Sequence, residues 1–257
     1  MIGRTYLINV SANASHRFAG PVFPDGSFEF LPIPETPDIP PPHAVRYRDL
    51  RSYNLPSENL LKYIPKRLWN KATHNDPEFE TFTYGDNCET TPRGASLKQI
   101  QSGDFLFFIA RMEDWNSDGA TGHYGFYLVG FLEVSDSKTI LKDVREQPSD
   151  NLTETFQNNA HIRRGLTDSK HWDRFWIFQG SGQSRRFRHA VPVTRELCLE
   201  AFRAADGSPW RWDGQRSELQ VIGSYTRSCR CVIDPGGSDG AKRNEAFWQW
   251  ISRYDQP

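Results

Sequence analysis

Cysteine is scarce in this chain: Cys88, Cys198, Cys229 and Cys231 are the whole supply in 257 residues. Four scattered cysteines do not make a disulfide scaffold. Cys229 and Cys231 form C-x-C, which is neither the zinc-ribbon nor the redox C-x-x-C spacing, so free, buried or half-buried thiols are expected. Net charge is nearly missing as well, with 31 Lys and Arg against 32 Asp and Glu. No global basic field exists to hold nucleic acid, so any such binding needs a local patch. No apolar run reaches the roughly 18 residues of a membrane span. The opening MIGRTYLINV lacks the cationic stretch and apolar run of a secretory leader and reads as a first strand. A cytoplasmic, reduced protein without membrane contact is therefore expected. Also missing are G-x-S-x-G, a Ser-His-Asp order, a Walker A loop and a complete Rossmann fingerprint. Common hydrolases, nucleotide triphosphatases and dehydrogenases are thereby disfavoured. The sequence names no cofactor, no metal set and no oligomeric state.

Aromatic residues are abundant at 13% (Trp 8, Tyr 9, Phe 17). They read either as core filling or as flat faces for stacking bases. RTYLINV is β-branched and apolar, a strand pattern. FLFFIARM and GFYLVGFLEV are short apolar runs bounded by turn residues, so residues 104–134 read as a hairpin of two buried strands, with 116–125 a long polar loop. PIPETPDIPPP forbids helix or central strand and gives an extended loop. SENLLKYIPKRLWN has apolar residues at helical spacing, broken at Pro65. SLKQIQ and LTETFQNNAHIRRGL read as helices, DRFWIFQGS as a strand. VTRELCLEAFRA is an amphipathic helix capped by Thr194. SELQVIGSYTRSCRCVI reads as a strand, and EAFWQWISRYDQ closes the chain as a helix. Strands and helices intermix without βαβ alternation, which predicts an α+β fold with a mixed, partly barrel-like central sheet and flanking helices. A core domain over 1–190 and a Trp-rich lobe over 191–257 packed on it are the expected organisation.

Three constellations could carry chemistry. Asn9, Asn13, His16, Asp25, Glu29 and Glu35 fall within 27 residues, with Asp25 and Glu29 among aromatics and prolines. Buried there, a carboxylate would titrate high and suit acid–base work; solvated, it would be an ordinary turn residue. His74, Asp76, Glu78, Thr83, Tyr84 and Asp86 form the second. His74-x-Asp76 resembles a metal-ligand pair but has no third ligand at a diagnostic spacing. The third is basic: residues 161–189 hold seven Lys/Arg and two Asp around Gly180-Ser181-Gly182-Gln183-Ser184. A Gly/Ser turn followed by arginines offers an anion pocket, against the plainer reading of a solvated basic face.

The blocks NVSANASHRFAGPVFPDGSFEFLPIPE, HNDPEFETFTYGD, SGDFLFFIARM, GFYLVGFLEV, NAHIRR and GSGQSRRF, in this order over residues 7–190, resemble the nucleotide-modification-associated domain family, third type. DGSFEF-x-PIPE and TYGD are the specific blocks. The G-D-F-L-F-F and G-F-Y-L-V-G pair also resembles the hairpin of PUA-like barrels (ASCH, EVE and YTH domains), which bind modified bases in a cleft. The resemblance implies recognition or processing of modified nucleic acid, in bacterial or phage systems that make, read or cut modified DNA. It directs attention to Asn9, Asp25, Glu29, His74, Asp76, Asp86, His161, Arg163, Ser184 and Arg185. On this reading Asp25, Glu29, His74 and Asp86 are candidate catalytic groups. Asn9, His161, Arg163, Arg164, Ser184, Arg185 and Arg186 would hold phosphates, and Phe28, Phe30 and Tyr84 would stack a base. The alternatives are a base- or nucleotide-modifying glycosidase or transferase using Asp25, Glu29 or Asp86, and a protein-interaction module without chemistry. For either nucleic-acid reading, the Asp25/Glu29 loop, the TYGD loop and the Arg163/Arg185 region are expected to meet in one cleft.

Overall fold

The computed structural model describes residues 3–12, 15–139 and 150–255. Among them the strands are β1 (Thr5–Val10), β2 (Pro21–Val22), β3 (Ile33–Pro34), β4 (Thr73–His74), β5 (Thr83–Asp86), β6 (Phe105–Asn116), β7 (Gly119–Thr139), β8 (Trp176–Gly180), β9 (Arg185–Pro192) and β10 (Arg230–Ile233). The helices are α1 (Asp150–Thr155), α2 (Ala160–Thr167), α3 (Arg195–Ala201), α4 (Glu218–Tyr225) and α5 (Gly240–Tyr254). The main sheet runs β10-β1-β6-β7-β8-β5, with β2 added to β6 and β9 to β7; β3 and β4 pair separately. β1 and β6 are parallel, and β6 and β7 antiparallel. The fold is thus α+β around a large mixed sheet.

β6 and β7 are the predicted hairpin, but no long loop separates them. Asn116 pairs with Gly119, leaving Ser117 and Asp118 as the turn. Gly119 sits at φ +110°, which a side chain would resist. Leu106 to Ala110 are fully buried because both faces of β6 are covered. Phe107 packs on Phe247 of α5 and on Phe131, with ring centroids 4.8 and 5.1 Å apart. Phe108 points the other way, to Phe79 at 5.8 Å and Tyr84 at 5.4 Å. Tyr84 lies on β5, three places from β6 in the sheet order, so that contact shows the sheet curling. It does not close into a barrel: β10 and β5 stand at its two ends. Each fully buried Phe contributes about 1.5–3 kcal/mol of hydrophobic stabilisation.

The segment after 190 joins the same sheet through β10, which pairs with β1. Trp250 donates to the Pro192 carbonyl at 2.9 Å, and Trp210 stacks on Tyr225 at 4.6 Å. Residues 218–225 are helix, not the strand their alternation predicts. Ser217 and Gln220 form a reciprocal capping box, which secures the first turn of α4. Only the end of that stretch, Arg230–Ile233, is strand. SENLLKYIPKRLWN and SLKQIQ form 3-10 turns, not α-helices: Leu61–Tyr63 and Lys66–Leu68 on either side of Pro65, and Pro92–Gln99. LTETFQNNAHIRRGL divides into α1 and α2, with Asn159 capping the second. Thr194 caps α3 as expected. All four cysteines are free. Among the described residues no helix is long and apolar enough to cross a membrane.

Candidate functional site

Inside the curl, between the end of β1 and β5, lies a polar cleft of about 450 Å3. Its walls include Asn9, His74, Asp76, Tyr84, Gly85, Asp86, Arg93, His161 and Arg164. Local structure aims each group. β3 pairs with β4 so that Ile33 faces His74, which places Glu35 beside the imidazole. The chain turns tightly after β4, with the Asp76 N–H on the His74 carbonyl at 2.9 Å. The Gly85 N–H then donates to the Asp76 carboxylate at 2.9 and 3.2 Å, tying this turn to β5. Tyr84 and Asp86, two apart on one strand, share a face, and the Tyr84 hydroxyl donates to Asp86 Oδ2 at 2.9 Å. Asn159 accepts from the His161 N–H at 2.9 Å and donates to Thr83 Oγ1 at 3.2 Å, so the first turn of α2 is pinned to β5.

The two histidines are held in different ways. His74 Nδ1 meets Glu35 Oε2 at 2.9 Å, leaving Nε2 to face Asp76 Oδ2 at 3.9 Å. His161 Nδ1 meets Arg164 Nη2 at 3.0 Å. A guanidinium only donates, so His161 Nδ1 accepts and its proton sits on Nε2, 3.5 Å from Asp76 Oδ2. Burial holds His161 well below the usual histidine range, helped by the His74 and Arg164 charges. Burial also works to raise Glu35, but the His74 bond and charge, Arg164 and the Thr36 N–H outweigh it and hold Glu35 low. Burial raises Asp76 strongly, against the Gly85 N–H and with Asp86 and Glu78 adding repulsion. Asp86 is raised by burial too, partly offset by Tyr84 and Arg93. The cleft thus sets an ionised carboxylate behind His74 and carboxyls that keep their protons to higher pH beside it. Such separation is a mark of acid–base sites.

His74, Asp76 and His161 each present one ligand atom, all within 4.8 Å of one another. Two histidines and a carboxylate make a known metal-binding set. His74 has the carboxylate partner that ligating histidines use. His161 does not: with Arg164 donating to Nδ1, a cation at Nε2 needs either the ring proton moved to Nδ1, which displaces the guanidinium, or its loss to leave an imidazolate. As arranged, the cluster suits proton transfer better than ligation.

Two consequences are measurable. Because the folded pKa of Asp76 is raised, its ionisation opposes folding. That cost is absent below the ordinary carboxylate value and grows as pH rises above it toward the folded pKa. Asp76→Asn is therefore expected to melt about 2–4 °C above wild type at pH 8 and to converge with it near about pH 4. A pH-independent difference by calorimetry would contradict the buried carboxyl. Gly85 is needed for contact: a Cβ there would lie 2.5 Å from His161 Cδ2 and 3.1 Å from Asn159 Oδ1. Gly85→Ala should displace the His161 ring and cost about 1–3 kcal/mol by overpacking, read by denaturation and histidine ring NMR.

Of the residues singled out from sequence, the cleft gathers Asn9, His16, His74, Asp76, Tyr84, Asp86, His161 and Arg164. Asp25 and Glu29 line a different hollow. The Asp25 carboxylate accepts from Ser27 N–H and Oγ at 2.9 and 2.7 Å in an exposed turn, which holds its pKa low, the reverse of an elevated acid. Glu29 is buried and accepts from Ser52, the Tyr53 N–H and Asn54. The basic run is largely occupied. Arg185 pairs with Asp255 at 3.3 Å, and Arg186 lies 4.0 Å from Glu29. Arg163 donates to Gln157 and Asn158. Ser184 Oγ accepts from the Glu133 N–H, while Ser181 bonds Glu133 through both its N–H and its hydroxyl. The rings are covered also: Phe28 is fully buried under Arg186, Phe30 packs edge-on against Phe79, and Tyr84 stacks on Phe178. Asn13 lies outside the described residues. Glu35 belongs to the first constellation but carries no assigned role there, and nothing in the sequence marks Arg93.

The model of one protein family, described as nucleotide modification associated domain 3, matches residues 4–221. No match exists among curated proteins or among solved structures.

Proposed function

Since the chain belongs to the nucleotide modification associated domain 3 family, we propose that its polar cleft binds a modified nucleotide or nucleic-acid base and processes it by proton transfer. One observation carries this reading: the Glu35–His74 pair faces Asp76 across a cleft that Asp86 and Tyr84 also line. His74 Nε2, oriented by Glu35, takes a proton from a water or substrate hydroxyl as it attacks. Asp86, which keeps its proton to higher pH than an ordinary carboxyl, returns one to the leaving group. Asn9 and Arg93 supply polar contacts to the substrate. A glycosidase or transferase step on the base fits these groups. On this reading residues 1–190 carry the cleft, residues 191–257 form a lobe packed on that core, and the protein works in the cytoplasm.

The test is incubation with DNA, RNA and free nucleotides carrying different base modifications, with and without chelator, followed by mass spectrometry of the nucleosides. One modified nucleoside should change mass, and chelator should leave that change intact. Loss of turnover with chelator, restored by a divalent cation, would favour ligation by His74, Asp76 and His161. No mass change and no binding would remove the proposal.

A further inference from the structure

The arginines of the sequence-marked run that lie nearest the buried acids are matched, and a second cationic surface lies beside the cleft. Arg164, Arg185 and Arg186 are matched by Glu35, Asp255 and Glu29. Beside the cleft lies a second, open hollow of about 600 Å3 between β6 and α4, and Asn9 lines both. Its floor includes Phe126 and Leu219, and its sides carry Arg111, Arg216 and Arg227. Arg93, at the edge of the cleft, donates Nε to the Arg227 carbonyl at 2.8 Å, so the two arginines bridge cleft and hollow. Arg216 is paired with Asp213 at 2.9 Å. Arg93, Arg111 and Arg227 form no ion pair with any described carboxylate. The Arg111 guanidinium carbon lies over the Tyr124 ring, 3.9 Å from its centroid, a cation–π contact that positions the charge.

From this arrangement we infer that the substrate is a nucleic-acid strand, not a free nucleotide, held with one base in the cleft and its neighbouring phosphates along Arg93, Arg227 and Arg111. The inference rests on the nucleotide reading of the cleft and names its substrate class. A mononucleotide would leave the second hollow, with Arg111 and Arg227, unused. A strand would place phosphates on the arginines and its neighbouring sugars and bases over Phe126 and Leu219, which is how cationic grooves with apolar floors hold single strands.

The experiment is fluorescence polarisation with 12-nucleotide single-stranded DNA and RNA across a salt series, with competition by mononucleotide. Wild type should prefer the oligonucleotide, with log K falling linearly in log salt. Arg111→Ala/Arg227→Ala should bind about 10–100-fold more weakly, with the salt slope flattened by about 0.7 per lost phosphate contact. Arg227→Gln, a change at an exposed side chain, should show about half the loss of slope and guards against misfolding of the double variant. Arg48→Ala, elsewhere on the surface, should bind as wild type. Wild-type affinity and slope in the double variant would overturn the inference, as would an equal loss in Arg48→Ala, which would indicate bulk charge only. Mononucleotide binding as tight as oligonucleotide, without salt dependence, would overturn the groove and leave the cleft reading standing. Binding of neither would overturn both.

Discussion

His74→Ala should lower kcat/KM for the accepted modified base by about 10²–10⁴-fold, the usual contribution of a positioned general base, while the protein stays folded. The side chain is half-buried, and Glu35 behind it keeps Arg164 at 3.6 Å and the Thr36 N–H at 3.0 Å, so its removal does not strand a charge. Glu35→Gln should do less, since the amide can still hold the ring but cannot stabilise an imidazolium. The expected result is a kcat loss with KM nearly constant. Asp86→Asn should remove the alkaline limb: the raised pKa of Asp86 keeps the acid loaded in wild type until pH rises through it, and asparagine has no proton to give. These are read from initial rates by nucleoside mass spectrometry. Full activity in His74→Ala would place the chemistry elsewhere.

Arg186→Ala should destabilise the fold by about 3–5 kcal/mol, the scale for removing one partner of a buried ion pair. Glu29 is 3% exposed. The Arg186 guanidinium lies between the rings of Phe28 and Tyr53, 4.4 and 3.7 Å from their centroids, and donates to the Phe28 carbonyl at 3.0 Å. Burial lowers its pKa to about 10, with Glu29 and Tyr53 acting in the opposite direction. Arg186→Lys should recover little, because an ammonium reproduces neither the flat stacking nor the fork of donors. The measurement is the urea midpoint at constant slope. A loss of only a few tenths of a kcal/mol would mean that the pair is not buried in solution and would restore Arg186 as a phosphate ligand.

What the sequence by itself determined is local. The apolar runs of β6 and β7, the Thr194 cap and the free cysteines follow from patterns within a few residues, and they stand in the structure. Elsewhere two local rules compete. Residues 217–225 carry strand-like alternation and a capping box, and the capping box prevailed because α4 packs on β7, with Gly223 against Phe126. The site needed the tertiary structure. His74-x-Asp76 is legible as a pair of polar groups, but His161 reaches it only because α2 is pinned to β5 through Asn159 and Thr83. The arginine run shows the same limit. Positive charge along residues 161–189 is plain in the sequence, while its neutralisers, Glu35, Glu29 and Asp255, come from both ends of the chain. A side chain's type is written locally; whether its charge stays free for a ligand depends on what the fold brings within about 4 Å of it, the range where pairing at low dielectric prevails over solvation.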